Sequence, residues 1–111
     1  MLDVTIPATF VINQPPTGTE IPILLNAPFA ATVPKITAQA IGATATVDVT
    51  LKINGTDVSP TEFVDMDVTN TTTEFTPGST VNVSAGDLVT LLFESPTNSP
   101  LVSVQVDLEP A

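Results

Sequence analysis

The sequence predicts an all-β chain: a jelly-roll-like antiparallel β-sandwich of about eight strands, with a proline-rich N-terminal edge or arm. Three observations predict it. Valine and threonine, stiff at χ1 and suited to a pleated surface, fill 33 of the 111 positions. Apolar residues recur in twos or in short alternations, with no convincing helical period. Turn residues punctuate the chain about every ten positions, the spacing of a sandwich or barrel.

Candidate strands run over 4–13 (with Pro7 a candidate bulge), 21–25, 35–40, 44–54, 62–68, 72–75, 79–83, 88–93 and 101–108. The first two are interleaved with proline: six of the eleven prolines lie before residue 35. Proline cannot donate to a ladder, so 1–34 reads as an edge or an extended arm, and 35–111 as the sandwich core of a single domain spanning 1–111. The strand 44–54 is the clearest. Ala45, Val47, Val49, Leu51 and Ile53 alternate with Thr46, Asp48, Thr50 and Lys52, and the run ends at Asn54-Gly55, a pair that tolerates positive φ. Strand 88–93 is apolar on both faces apart from Thr90 and reads as an inner strand. In the last strand Val102, Val104, Val106 and Leu108 alternate with Ser103, Gln105 and Asp107. The breaks are 15–18, 26–28, Gly42, Ser59-Pro60, Pro77-Gly78, 85–87 and 95–100, each rich in residues that fix φ or permit its positive values.

Composition excludes several functions. There is no Cys, His, Trp or Tyr, and the only basic residues are Lys35 and Lys52 against twelve acids, a net charge of −10. Thiol chemistry and Cys-ligated zinc are therefore out, and the most versatile general base near neutral pH is missing. Two lysines cannot displace the counterions of a nucleic acid, and an anionic membrane surface is disfavoured for the same reason. No secretory signal is visible in MLDVTIPATF, and no apolar run is long enough to span a bilayer as a helix. The acids Glu62, Asp65, Asp67 and Glu74 only loosely resemble a calcium loop, because Asn70 and Thr76 stand where Gly and Glu are needed. Paired carboxylates without stacking aromatics do not make a glycosidase. The expectation is a non-enzyme with no cofactor and no metal.

The order KITAQAIGATATVDVTLKINGTDVSP, then GSTVNVSAGDLVTLLFESPTNSPLVSVQVDLEP, resembles small β-sandwich virion-surface proteins of tailed bacteriophages. In that family a strand of the form T-V-D-V-x-x-x-I-N-G-T precedes an A-G-D turn, an apolar strand and a closing alternating strand. Thr46 to Thr56, Ala85 to Asp87 and Leu101 to Leu108 occupy those places. The resemblance implies a structural or adhesive virion part, commonly a homotrimer, made in the host cytoplasm and placed on the virion surface. Its partners would be its own copies and the major capsid protein or another virion protein. Within the family, a short chain with no shaft repeat favours a capsid decoration (cement) protein that stabilises capsomer junctions. Contacts with a neighbour are expected at Ile21, Ile23, Leu24, Leu25 and Phe29, with Asp57, Glu62, Asp65 and Asp67 turned outward. The alternative is a receptor- or carbohydrate-binding module at a head- or tail-fibre tip, using Ser95, Thr97, Asn98 and Ser99.

Overall fold

A computed structural model describes residues 5–58, 63–98 and 100–111. Among them run ten strands rather than about eight: β1 (Ile6–Asn13), β2 (Thr19–Leu24), β3 (Ala31–Ile41), β4 (Thr46–Ile53), β5 (Thr56–Asp57), β6 (Met66–Val68), β7 (Thr73–Phe75), β8 (Asn82–Val83), β9 (Val89–Thr97) and β10 (Leu101–Pro110). One sheet has the order β1-β10-β3-β7, with β8 also on β3. The other has the order β2-β9-β4-β5, with β6 also on β4. Every pairing is antiparallel. The chain passes repeatedly from one sheet to the other, and first and last strands lie side by side. That is the winding of a jelly roll.

The strand β5, absent from the sequence reading, follows from Asn54-Gly55. Both residues take positive φ (53° and 80°), and a two-residue reversal folds Thr56 back on Ile53. The N-terminal segment forms the edges rather than a detached arm, since β1 borders one sheet and β2 the other. The register of β1 runs unbroken through Pro7, so the bulge expected there is absent.

The bulges fall at other prolines. Pro34 sits in central β3, where the register with β10 shifts between Asp107/Lys35 and Glu109/Thr32. Pro96 sits in β9, where the pairing with β4 shifts between Thr97/Thr46 and Glu94/Asp48, next to Ser95 at φ 50°. Pro22 sits at the shift in edge strand β2. A ring nitrogen with no hydrogen is tolerated where the ladder already skips a residue.

The core is the space between the sheets. Ile36, Ala38, Ala40, Val102, Val104 and Val106 from one sheet meet Val47, Val49, Leu51, Val89, Leu91 and Phe93 from the other, all buried. Two threonines are buried on the opposite faces of their strands, Thr50 between Val49 and Leu51 and Thr90 between Val89 and Leu91. The Thr50 hydroxyl accepts the Asp65 N–H at 2.9 Å, and the Thr90 hydroxyl donates to Glu20 Oε2 at 2.6 Å. Among the described residues no buried side-chain polar atom lacks a partner.

Candidate functional site

With no reactive cluster among the described residues to build on, the candidate surfaces are the two ends of the sandwich, the outer faces of its sheets, and their edges. At one end the β2–β3, β4–β5 and β8–β9 connections are tied together. Gly86 N–H donates to Ala27 O at 2.7 Å, and Ala27 N–H to Asp87 O at 2.9 Å. Asn54 spans the other pair of loops: its amide donates to Asp87 Oδ1 at 3.0 Å, and its side-chain oxygen accepts the Leu88 N–H at 2.9 Å. The second Asp87 oxygen accepts the Ser84 N–H at 2.8 Å. The I-N-G-T and A-G-D motifs singled out in the sequence are thus hydrogen-bonded to each other.

That frame holds out apolar side chains. Leu24 pairs with Val89 at the end of the β2–β9 ladder, and Leu25 and Leu88 are the chain neighbours of that pair. Leu25 is 75% exposed, Phe29 37% and Leu88 36%. The other expected contact residues lie differently. Ile21, Ile23 and Leu24 are half-buried and pack on this chain's own core. The end of β2 at Leu24 divides an apolar run that looked uniform: of the expected contact residues, only Leu25 and Phe29, beyond that end, are exposed.

The opposite end carries the alternative ligand loop. Asn98 donates to Thr44 O at 3.0 Å and to its hydroxyl at 2.7 Å, and Ser95 N–H donates to Thr17 Oγ1 at 3.2 Å. Ser95, Thr97 and Asn98 are exposed. Ser99 lies outside the described residues. Beside this loop Gln14, Pro15, Pro16, Pro96 and Pro100 line an open cleft of about 240 Å³.

The acids divide between the two outer faces. Lys35 bridges Glu74 (3.2 Å) and Asp107 (3.9 Å) on one sheet, and Lys52 lies 3.9 Å from Asp57 on the other. Beyond that second pair, the register sets Asp48 opposite Glu94 on one side and opposite Asp67 on the other. Asp65 and Asp67 are exposed, and Glu62 lies outside the described residues. Among the described residues no group of three or more Asp or Glu is arranged to hold a metal ion. Sequence reading missed this row because it grouped acids close in the chain, whereas Asp48 and Glu94 meet only through strand pairing.

Two carboxyls shift in opposite directions. Burial, then the Asp65 and Asp67 carboxylates, push Asp48 above its ordinary value. The folded state therefore holds that proton more tightly than the unfolded chain, and stability falls as pH rises through this range. Asp48→Asn is expected to stabilise the protein by about 0.5 kcal/mol at neutral pH, the size of a cross-strand like-charge pair. Denaturant melts at pH 7 and pH 3 check it, since the gain disappears once both states are protonated. Asp87 is held below its ordinary value by the Ser84 N–H and then the Asn54 amide. Its contribution is present above the unfolded value and lost as pH falls through the folded one. Asn54→Ala also strips the acceptor from Leu88 N–H. It is expected to lower the thermal midpoint at pH 7 by about 5 °C, with a smaller deficit in acid.

No family model matches the sequence, and neither does any curated protein. Solved structures do match. A chain of the cyanophage Pam1 capsid asymmetric unit superposes with a TM-score of 0.61 at 16% identity, over 98% of this chain and 86% of that one. A chain of the acid-stable capsid of Helicobacter pylori bacteriophage KHP30 gives 0.58 at 11% identity, over 97% and 88%. A family 35 carbohydrate-binding module from Clostridium thermocellum gives 0.43 at 22% identity, over 92% and 90%. At such identities the two capsid likenesses are likenesses of fold.

Proposed function

We propose that this chain is a structural protein of a tailed-phage virion, a decoration (cement) protein laid over capsomer junctions. The observation that carries the reading is the near-complete mutual coverage with chains of two phage capsids. The shared unit is the whole jelly roll in each case, rather than a module within a much larger chain. The chemistry of the chain supports it: a tightly satisfied core and a loop end stiffened by the Asn54–Asp87 bonds suit a passive brace.

In this reading Leu25 and Phe29, with Leu88 beside them, bear on the capsid or on a neighbouring copy, in the homotrimer the family resemblance implies. Burying such side chains stabilises a junction in proportion to the apolar area removed from water. The acids Asp57, Asp65 and Asp67 keep the outer surface highly charged and well hydrated.

Particles made without the protein are expected to lose their DNA at a lower temperature than wild-type particles, and adding purified protein back is expected to restore the difference. Unchanged heat resistance, together with saturable binding of the pure protein to host cells or glycans, would overturn the reading in favour of adhesion.

A further inference from the structure

Free sheet edges are normally guarded by charge, proline, bulges or brevity, because their unpaired N–H and C=O groups are a template for another strand. Most edges here are guarded. β2 carries Glu20, Pro22 and a register shift; β6 and β7 are three residues long, with Asp67 and Glu74; β5 and β8 have two residues each. β1 is the exception among the described residues. It runs eight residues, IPATFVIN, uncharged and in unbroken register with β10. It lies within residues 4–19, the longest stretch of the chain without a charged side chain.

Two hydrogen bonds fix which backbone groups of β1 are free. Gln14 N–H donates to Pro100 O at 2.8 Å, one step beyond the Asn13/Leu101 pair. Ala40 N–H, opposite Val102, turns away from β10 to Thr69 O at 2.7 Å, which leaves Val102 bonded to Ile12. Both give the same phase. Ala8, Phe10 and Ile12 bond to β10, and Pro7, Thr9, Val11 and Asn13 present their groups to the open side. The N–H that Pro7 lacks is thus one the ladder never needed.

We propose that β1 is the contact through which two copies of this chain join, antiparallel, into one continuous sheet about a two-fold axis at Phe10. In that register Thr9 and Val11 of opposite copies exchange both backbone hydrogen bonds. Asn13 N–H of each copy reaches Pro7 O of the other, which asks nothing of the proline nitrogen. The two half-buried Phe10 rings face each other as a close cross-strand pair, and Val11, 63% exposed in the single chain, is covered beside Thr9 of the second copy. The occupant is a second copy because the free groups are self-complementary in this register. Charge agrees: copies at −10 repel, and they can approach only where the surface is neutral. Around β1 charge is sparse: Ser103 and Gln105 on the adjoining strand carry none, and Asp107 lies 3.9 Å from Lys35, which also bridges Glu74. The proposal does not depend on where the protein works.

Light scattering and sedimentation of the full chain over a concentration series test it. Val11→Pro removes a donor on the open side only and leaves the β10 ladder intact. The mass of the assembly is expected to halve with the β-sheet circular dichroism unchanged, whatever other contacts the assembly contains. Should that variant fail to fold, the double substitution Thr9→Lys/Val11→Lys sets ammonium groups against each other across the same junction and is expected to halve the mass too. In the wild type, the Thr9, Val11 and Asn13 amides are expected to exchange slowly with solvent. A wild-type chain of single-copy mass throughout the series, a variant assembly of unchanged mass, or fast exchange at those three amides would each overturn the proposal.

Discussion

Replacing Phe93 by alanine is expected to lower the unfolding free energy by about 3–5 kcal/mol, the cost of removing a large ring from a core that cannot close around the gap. The ring is fully buried on β9, the strand that lies between β2 and β4 and pairs with both. The backbone beside it is held as well: Phe93 O accepts the Gly18 N–H at 2.8 Å, joining the β1–β2 connection to the sheet. For a domain whose total stability is on the order of 5–15 kcal/mol, that loss removes a large share of the folded state's margin. A urea melt reads the change directly. Thr71→Ala, at an exposed position between β6 and β7, is expected to stay within about 0.5 kcal/mol of wild type as a control.

The second large effect concerns binding rather than folding. If the chain has the proposed decoration role, Leu25→Ser combined with Phe29→Ser is expected to weaken attachment to undecorated capsids by roughly a hundredfold, from about 3 kcal/mol of lost apolar burial shared between two side chains. Leu25 is so exposed that Leu25→Ser should leave the melting midpoint where it was. Phe29 is covered over more of its surface, so the double variant is best judged beside Phe29→Ser for fold and beside Leu25→Ser for binding. Ile21→Ser gives the opposite pattern, a loss of stability, because that side chain packs on the core of its own chain.

This division between Leu25 and Ile21 shows where a sequence can and cannot be read. The strands at 44–54 and 101–108 were legible because a half-buried strand repeats every two residues, and Val47, Val49 and Leu51 in one and Val102, Val104 and Val106 in the other are all buried. The inner position of β9, between β2 and β4, was legible from a run apolar apart from Thr90. Pairing was not legible. Nothing local says that residue 6 lies against residue 108, or that Asp48 stands between Asp67 and Glu94, because register is set by the assembled sheet. The bulges at Pro34 and Pro96 were hidden for a related reason: proline reads as a break until a neighbouring strand shows that the ladder can skip it. Asn54-Gly55 was recognised as a turn, but its second task, holding Asp87 and Leu88, depends on a loop more than thirty residues away.

A brace at capsomer junctions must be present wherever the junction repeats. The most direct measurement is therefore the copy number of this chain in purified particles, weighed against the major capsid protein. The account predicts a number of the same order as the capsid protein, fixed by the symmetry of the shell. A handful of copies per particle, or none, would contradict it.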